Sequence, residues 1–238
     1  MFIPMSLEAK HVLEVENLVK PEYDKLKCWA HGWLHILGVR DSSKQLAFIE
    51  GHNPVPFEIA AYCHDLGRIL EEKEGIVNNS PGFQNHALLS LEPTARILQQ
   101  VGIDNSRVFG SIMEAVAIHS YKDYTGNNLI AKILRDSDKS DSIGAWGVLK
   151  TAKYHFNKDF VDTQTIMDCY GHSSLIENLA NETLKKIKVN PDLRQKYIRI
   201  LNFVCEWSEN KMFHMPASYK LFEKEIEYTR KAKEFMLA

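Results

Sequence analysis

Four cysteines are spread over 238 residues, at Cys28, Cys63, Cys169 and Cys205, and no two form a Cys-x-x-Cys pair. That spacing excludes a zinc ribbon or a dithiol redox motif and leaves reduced thiols packed as small apolar side chains. No apolar stretch approaches the roughly 20 residues of a membrane-spanning helix. Met1-Phe2-Ile3-Pro4-Met5 shows no basic segment followed by an apolar one, so no secretory signal is expected and the expected location is cytoplasmic. Net charge is only -2, which speaks against a nucleic-acid duplex or an anionic membrane as partner. Glycine (12) and proline (8) are scarce and β-branched alternation is rare, so the fold class expected is all-α rather than sheet. Repeats, low-complexity tracts and Pro/Gly-rich linkers are also missing. The expectation is therefore one domain over 1–238, with a helical core at about 31–150 and a C-terminal helical extension at about 151–238.

What is there is amphipathic helix. Ser6 is placed to cap a run from Leu7 to Val19, which Pro21 then interrupts. A second helix passes through Tyr23, Leu26 and Trp29 toward His31 and His35, four apart and so on one face, with Ile36, Val39, Ala47 and Phe48 continuing the apolar stripe. Gly51-His52-Asn53-Pro54 breaks it. A third helix from about Pro56 is apolar nearly all round at Ile59, Ala60, Tyr62, Cys63 and Leu66, and is expected at the centre. Asn78-Asn79-Ser80-Pro81-Gly82 is the clearest loop and lies where it can close over a ligand. Further helices are expected from His86, over 106–119, over 129–149, from Leu175 to Ile187, from Leu193 to Trp207 and from Tyr219 to Leu237. Residues 157–171 read as irregular.

The central helix carries Cys63-His64-Asp65-Leu66-Gly67-Arg68. A buried carboxylate is costly unless it is paired or binds a metal. Neighbouring side chains on a helix diverge by about 100°, and a cation between those directions takes an imidazole nitrogen and a carboxylate oxygen from one turn. His35 or His31, His119, and Asp138 or Asp136 lie in helices of their own and complete a mixed set of nitrogen and oxygen donors. Such a set suits Mn, Fe, Co, Ni or Zn rather than Ca. A cation so held polarises phosphate and activates water, and Arg68 and Lys139 are near enough in sequence to add positive charge. The expected substrate is a small phosphate ester.

The order His35, His64-Asp65, Asp138 resembles the HD-domain superfamily of metal-dependent phosphohydrolases, over about residues 31–150. His31-Gly32-Trp33-Leu34-His35-Ile36-Leu37-Gly38-Val39 resembles the family's opening segment, and Cys63 to Arg68 its signature. Ala117-Ile118-His119-Ser120 and the block from Leu134 to Ala145 resemble a bacterial and archaeal branch of nucleotide pyrophosphohydrolases, which cut (d)NTPs between the α- and β-phosphates. The resemblance implies His35, His64, Asp65 and Asp138 as metal ligands, in preference to His31 and Asp136. It implies Asp65, Arg68, His119 and Lys139 in catalysis, and Arg68, His86, His119 and Lys139 against the substrate, with a metal-activated water attacking phosphorus. Asp141 is a candidate for orienting a ligand. One divalent cation is expected. A second is possible if His86 and His119 are ligands, as in the di-iron oxygenases of the superfamily, which gives one alternative function. A non-catalytic nucleotide sensor is another. A nucleotide is the expected partner, and a homodimer through the terminal amphipathic helix is possible.

Overall fold

The computed structural model describes residues 7–74, 85–104, 107–121, 123–156, 162–209 and 213–238. All regular structure among them is helical, an all-α fold. None of these helices is long and apolar enough to cross a membrane. The chain divides into two compact units, the first ending at Ser137 and the second starting at Asp138.

In the first unit, α1 (Ala9–Tyr23) runs through Pro21 instead of stopping before it. Proline removes a helix hydrogen bond and crowds the carbonyl four residues back. Here Val15, Val19 and Tyr23, spaced four apart and all but fully buried, hold the helix to the core on both sides of it. Glu8 is the N-cap and shares a capping box with His11; Ser6 lies outside the described residues. The second expected helix is also corrected. A short 3-10 turn, Trp29–His31, precedes α2 (Trp33–Ile49), so His31 and His35 are not on one helix. Phe48 is exposed, off the apolar stripe.

The next helix, α3 (Val55–Cys63), is buried at every position except Pro56. It packs against both preceding helices and, further along, the helix Arg107–Ile118. Polar ties fix its position. Tyr62 Oη donates to Glu16 at 2.8 Å, and Tyr23 Oη to the Tyr62 carbonyl at 3.1 Å. The buried Glu58 lies 3.6 Å from Arg40 and 3.4 Å from Lys44. Next come α4 (Gly67–Glu74), the short α5 (His86–Leu89) capped by the Asn85 side chain, α6 (Leu91–Gln100) and α7 (Arg107–Ile118). The Asn78–Gly82 loop lies outside the described residues.

The Asn128 side chain accepts from the backbone of Ile130 and Ala131 and starts α8 (Leu129–Ser140). The single helix expected over 129–149 is in fact two. At 141–143 the chain tightens into three-residue hydrogen bonds, and Gly144, at φ 73°, begins α9 (Gly144–Phe156) in the left-handed region. The second unit packs α9 against α11 (Ser173–Lys188) and α14 (Glu223–Leu237), with α12 (Pro191–Glu209) across the latter two. Two expectations fail here. Residues 163–169 form a helix, α10 (Thr163–Cys169), because the Asp162 carboxylate caps its first turn and Ile166 is buried. The terminal segment is two helices, α13 (Pro216–Leu221) and α14, parted at Phe222.

Candidate metal centre

The Cys63–Arg68 signature is not inside a helix. The third helix ends at Cys63, and His64 caps it while keeping right-handed helical dihedrals. Three-residue hydrogen bonds, Leu66 to Cys63, Arg68 to Asp65 and Ile69 to Leu66, then wind the chain tightly into α4. Buried groups hold this turn from outside. The Ser90 hydroxyl accepts from Gly67 N–H at 2.8 Å and lies 2.7 Å from His64 O and 2.9 Å from His86 O, either of which takes its one proton. One side chain thus joins the turn bearing His64 and Asp65 to the helix bearing His86. Ser90→Ala strips a buried partner from the Gly67 N–H and from whichever carbonyl takes the hydroxyl proton, so a loss of roughly 2 kcal/mol is expected. Calorimetry on the metal-free protein should read this as a melting point lower by about 4–8 °C.

Four histidines from four segments meet at Asp65, which is 2% exposed. On one side, His35 Nε2 lies 3.6 Å and His64 Nε2 3.8 Å from Asp65 Oδ2, with 3.2 Å between the two nitrogens. On the other, His86 Nε2 and His119 Nε2 each lie 3.5 Å from Oδ1, again 3.2 Å apart. Each carboxylate oxygen therefore faces its own pair of imidazoles. His64 Nδ1 is 2.7 Å from Ala61 O and His119 Nδ1 is 2.8 Å from Val116 O. A carbonyl only accepts, so Nδ1 carries a proton in both rings, and the tautomer that leaves Nε2 free to ligate turns its lone pair inward.

This donor set fits divalent cations. Ligand nitrogens at about 2.1 Å from one ion stand about 3.0 Å apart at right angles and about 3.4 Å apart at tetrahedral angles, which brackets both histidine pairs. Asp65 Oδ1 is buried with no hydrogen-bond partner, a costly state that a cation relieves. One donor atom each from His64, Asp65 and His119 falls within 4.8 Å of the others, and all three residues are buried. Burial by itself raises the Asp65 carboxyl, yet His64, then Arg68, then His119 and His35 close beside it, hold it well below the usual carboxylate range. Asp65 therefore stands ionised. Burial pushes the neighbouring Cys63 thiol up to about 12, leaving it a packing group.

The other sequence candidates fall as follows. His31 sits with Nδ1 at 3.3 Å from Cys28 Sγ, and its ring packs edge-on to that of His35. Arg68 puts Nε 3.7 Å from Asp65 Oδ1 and donates from Nη1 to Glu71 at 3.0 Å. Asp136 is fully buried in the first unit. Asp138 and Lys139 are half-buried on the last turn of α8, in the second unit. Asp141 holds its own unit together, accepting from Trp146 Nε1 and Lys150 Nζ. Ser90, Glu71 and Arg135 had not been singled out. Arg135 is 1% exposed and donates to the carbonyls of Ile118 and His119, fixing the chain where His119 leaves α7. A charge in the inward register of an apolar helix was the available signal for Arg135; Ser90 had none.

No protein-family model matches the chain, and no curated protein matches it. Solved structures do. A predicted HD superfamily hydrolase from an uncultured Thermotogales bacterium is 21% identical, with a TM-score of 0.51, over 83% of this chain and 93% of that one. A protein from Lactobacillus plantarum is 14% identical, with a TM-score of 0.59, over 98% of each chain. At these identities the likeness is one of fold.

Proposed function

We propose that this chain is an HD-superfamily metal-dependent phosphohydrolase acting on a nucleotide or another small phosphate ester. The observation that carries the reading is the buried Asp65 carboxylate with a histidine pair at each oxygen and Oδ1 without a hydrogen bond. It favours two cations over the one expected from sequence. His35 and His64 would hold one, His86 and His119 the other, and Asp65 would serve both. Asp138 is proposed as a further ligand from its place in the sequence block alone. When bound, the cations supply charge neutralisation at phosphorus and a water of lowered pKa. The chain's own part is to fix the imidazoles through the carbonyls of Ala61 and Val116, keep Asp65 ionised, and present Arg68 to a phosphate oxygen; Lys139, like Asp138, is proposed from its place in the sequence block alone. The (d)NTP pyrophosphohydrolase specificity is proposed on the resemblance of Ala117–Ser120 and Leu134–Ala145 only.

The test begins with elemental analysis of protein purified without chelator, followed by a phosphate- and pyrophosphate-release screen over nucleotides with added manganese. Two equivalents and release from a nucleotide are expected. A chain that takes up no metal even on reconstitution sinks the reading. The His86–His119 pair also favours a second reading, a di-iron oxygenase on the same fold. That one predicts two equivalents of iron, visible absorption when oxidised, oxygen consumption and no phosphate release.

A further inference from the structure

The four imidazoles around Asp65 are not held alike. His64 and His119 each meet a carbonyl three residues back in their own helices. His86 is the first residue of α5, so α5 itself offers no such carbonyl. Facing its Nδ1 is a side chain instead. Glu71 Oε1, on α4, lies 4.0 Å away, an ion-pair distance rather than a hydrogen bond. Glu71 is 8% exposed, and this oxygen has no hydrogen-bond partner. Its other oxygen accepts from Arg68 Nη1 at 3.0 Å, and Arg68 Nε in turn faces Asp65 Oδ1. One carboxylate thus stands behind both His86 and Arg68, the two groups that approach Oδ1 from the α4–α5 side.

We propose that Glu71 is the positioning residue of the His86 half of the centre. It accepts from His86 Nδ1–H, which turns the Nε2 lone pair toward the cation shared with His119 and Asp65. Through its second oxygen it holds the Arg68 guanidinium beside Asp65. The inference rests on the two-cation reading above. An outer carboxylate on a ligating histidine fixes ring orientation and raises its basicity, and losing one weakens metal affinity by about 10–100-fold. Glu71 is close to isosteric with glutamine. In Glu71→Gln the amide oxygen can still accept from Arg68, but the amide N–H₂ meets His86 donor to donor, so the variant addresses His86 selectively.

The experiment is a manganese titration of the full-length protein against a chromophoric chelator, for wild type, Glu71→Gln, His86→Ala and the double variant. The wild type is expected to bind two equivalents. Glu71→Gln should weaken one of them by about 10–100-fold and leave the other within about twofold, matching His86→Ala in which equivalent is affected. In the His86→Ala background Glu71→Gln should add nothing, since its effect runs through that ring. Two equivalents of unchanged affinity in Glu71→Gln overturn the role of Glu71 while leaving the two-cation reading intact. So does an undiminished effect of Glu71→Gln in the His86→Ala background, or loss of both equivalents. A wild type that binds no manganese overturns the two-cation reading itself, and this inference with it.

Discussion

Asp65→Asn should remove both cation equivalents at once and bring turnover to background, while helicity by circular dichroism stays at the wild-type level. No other substitution in the first unit is expected to do this. Each histidine pair faces one oxygen, so His35→Ala or His119→Ala removes donors from one side and should leave the other equivalent detectable. Asp65 faces all four Nε2 atoms, and its charge is what draws a cation into a buried site. Asparagine keeps the shape, so the packing of a residue 2% exposed is preserved and the loss is one of ligand charge. The same substitution has a signature without metal. The folded carboxyl lies below the usual range, so its stabilising contribution is complete above the ordinary carboxylate pKa of about 3.9 and is lost as pH falls through the folded value. The metal-free wild type should therefore lose stability at the acid end of a pH series, and Asp65→Asn should lack that limb. Retention of two equivalents in Asp65→Asn would remove the bridging carboxylate from the account.

Gly67→Ala should cost about 3 kcal/mol or more, a melting point lower by roughly 6–12 °C, and should take the His86–His119 equivalent with it. A Cβ built on Gly67 lands 2.1 Å from the His86 carbonyl oxygen and 2.9 Å from Leu89 Cβ. The oxygen is backbone and cannot rotate away, so α5 must move off the turn. That movement also pulls Ser90 from Gly67 N–H and His86 from Asp65 Oδ1. The conformation at Gly67 is ordinary right-handed helix; the requirement is for close approach and not for a special dihedral. Differential scanning calorimetry of the metal-free protein reads the stability loss, and the manganese titration reads the missing equivalent. A melting point within about 2 °C of wild type would mean that α5 does not seat on Gly67 as described.

The sequence by itself determined the helical class, the burial of α3 and the presence of a charged pair at its end. The reason in each case is local. Helical period, apolar density and turn chemistry are properties of neighbouring residues, and Gly51, the apolar run from Ile59 to Cys63 and the His64-Asp65 step are legible without any partner. Where local signals competed, the reading slipped: Pro21 sits inside α1 because burial on both sides outweighs it, and α8 stops before Gly144 although the apolar pattern resumes beyond. Only the tertiary structure decided what surrounds Asp65. His35, His86 and His119 reach it from α2, α5 and the end of α7, and no spacing rule spans such separations. The same holds for Ser90 against His64, for Arg135 against His119 and for Glu71 against His86. Whether each imidazole offers a lone pair or a proton depends on the acceptor behind its other nitrogen. In His64 and His119 that acceptor is a carbonyl in the same helix; in His86 the facing acceptor is a side chain that folding alone brings within reach.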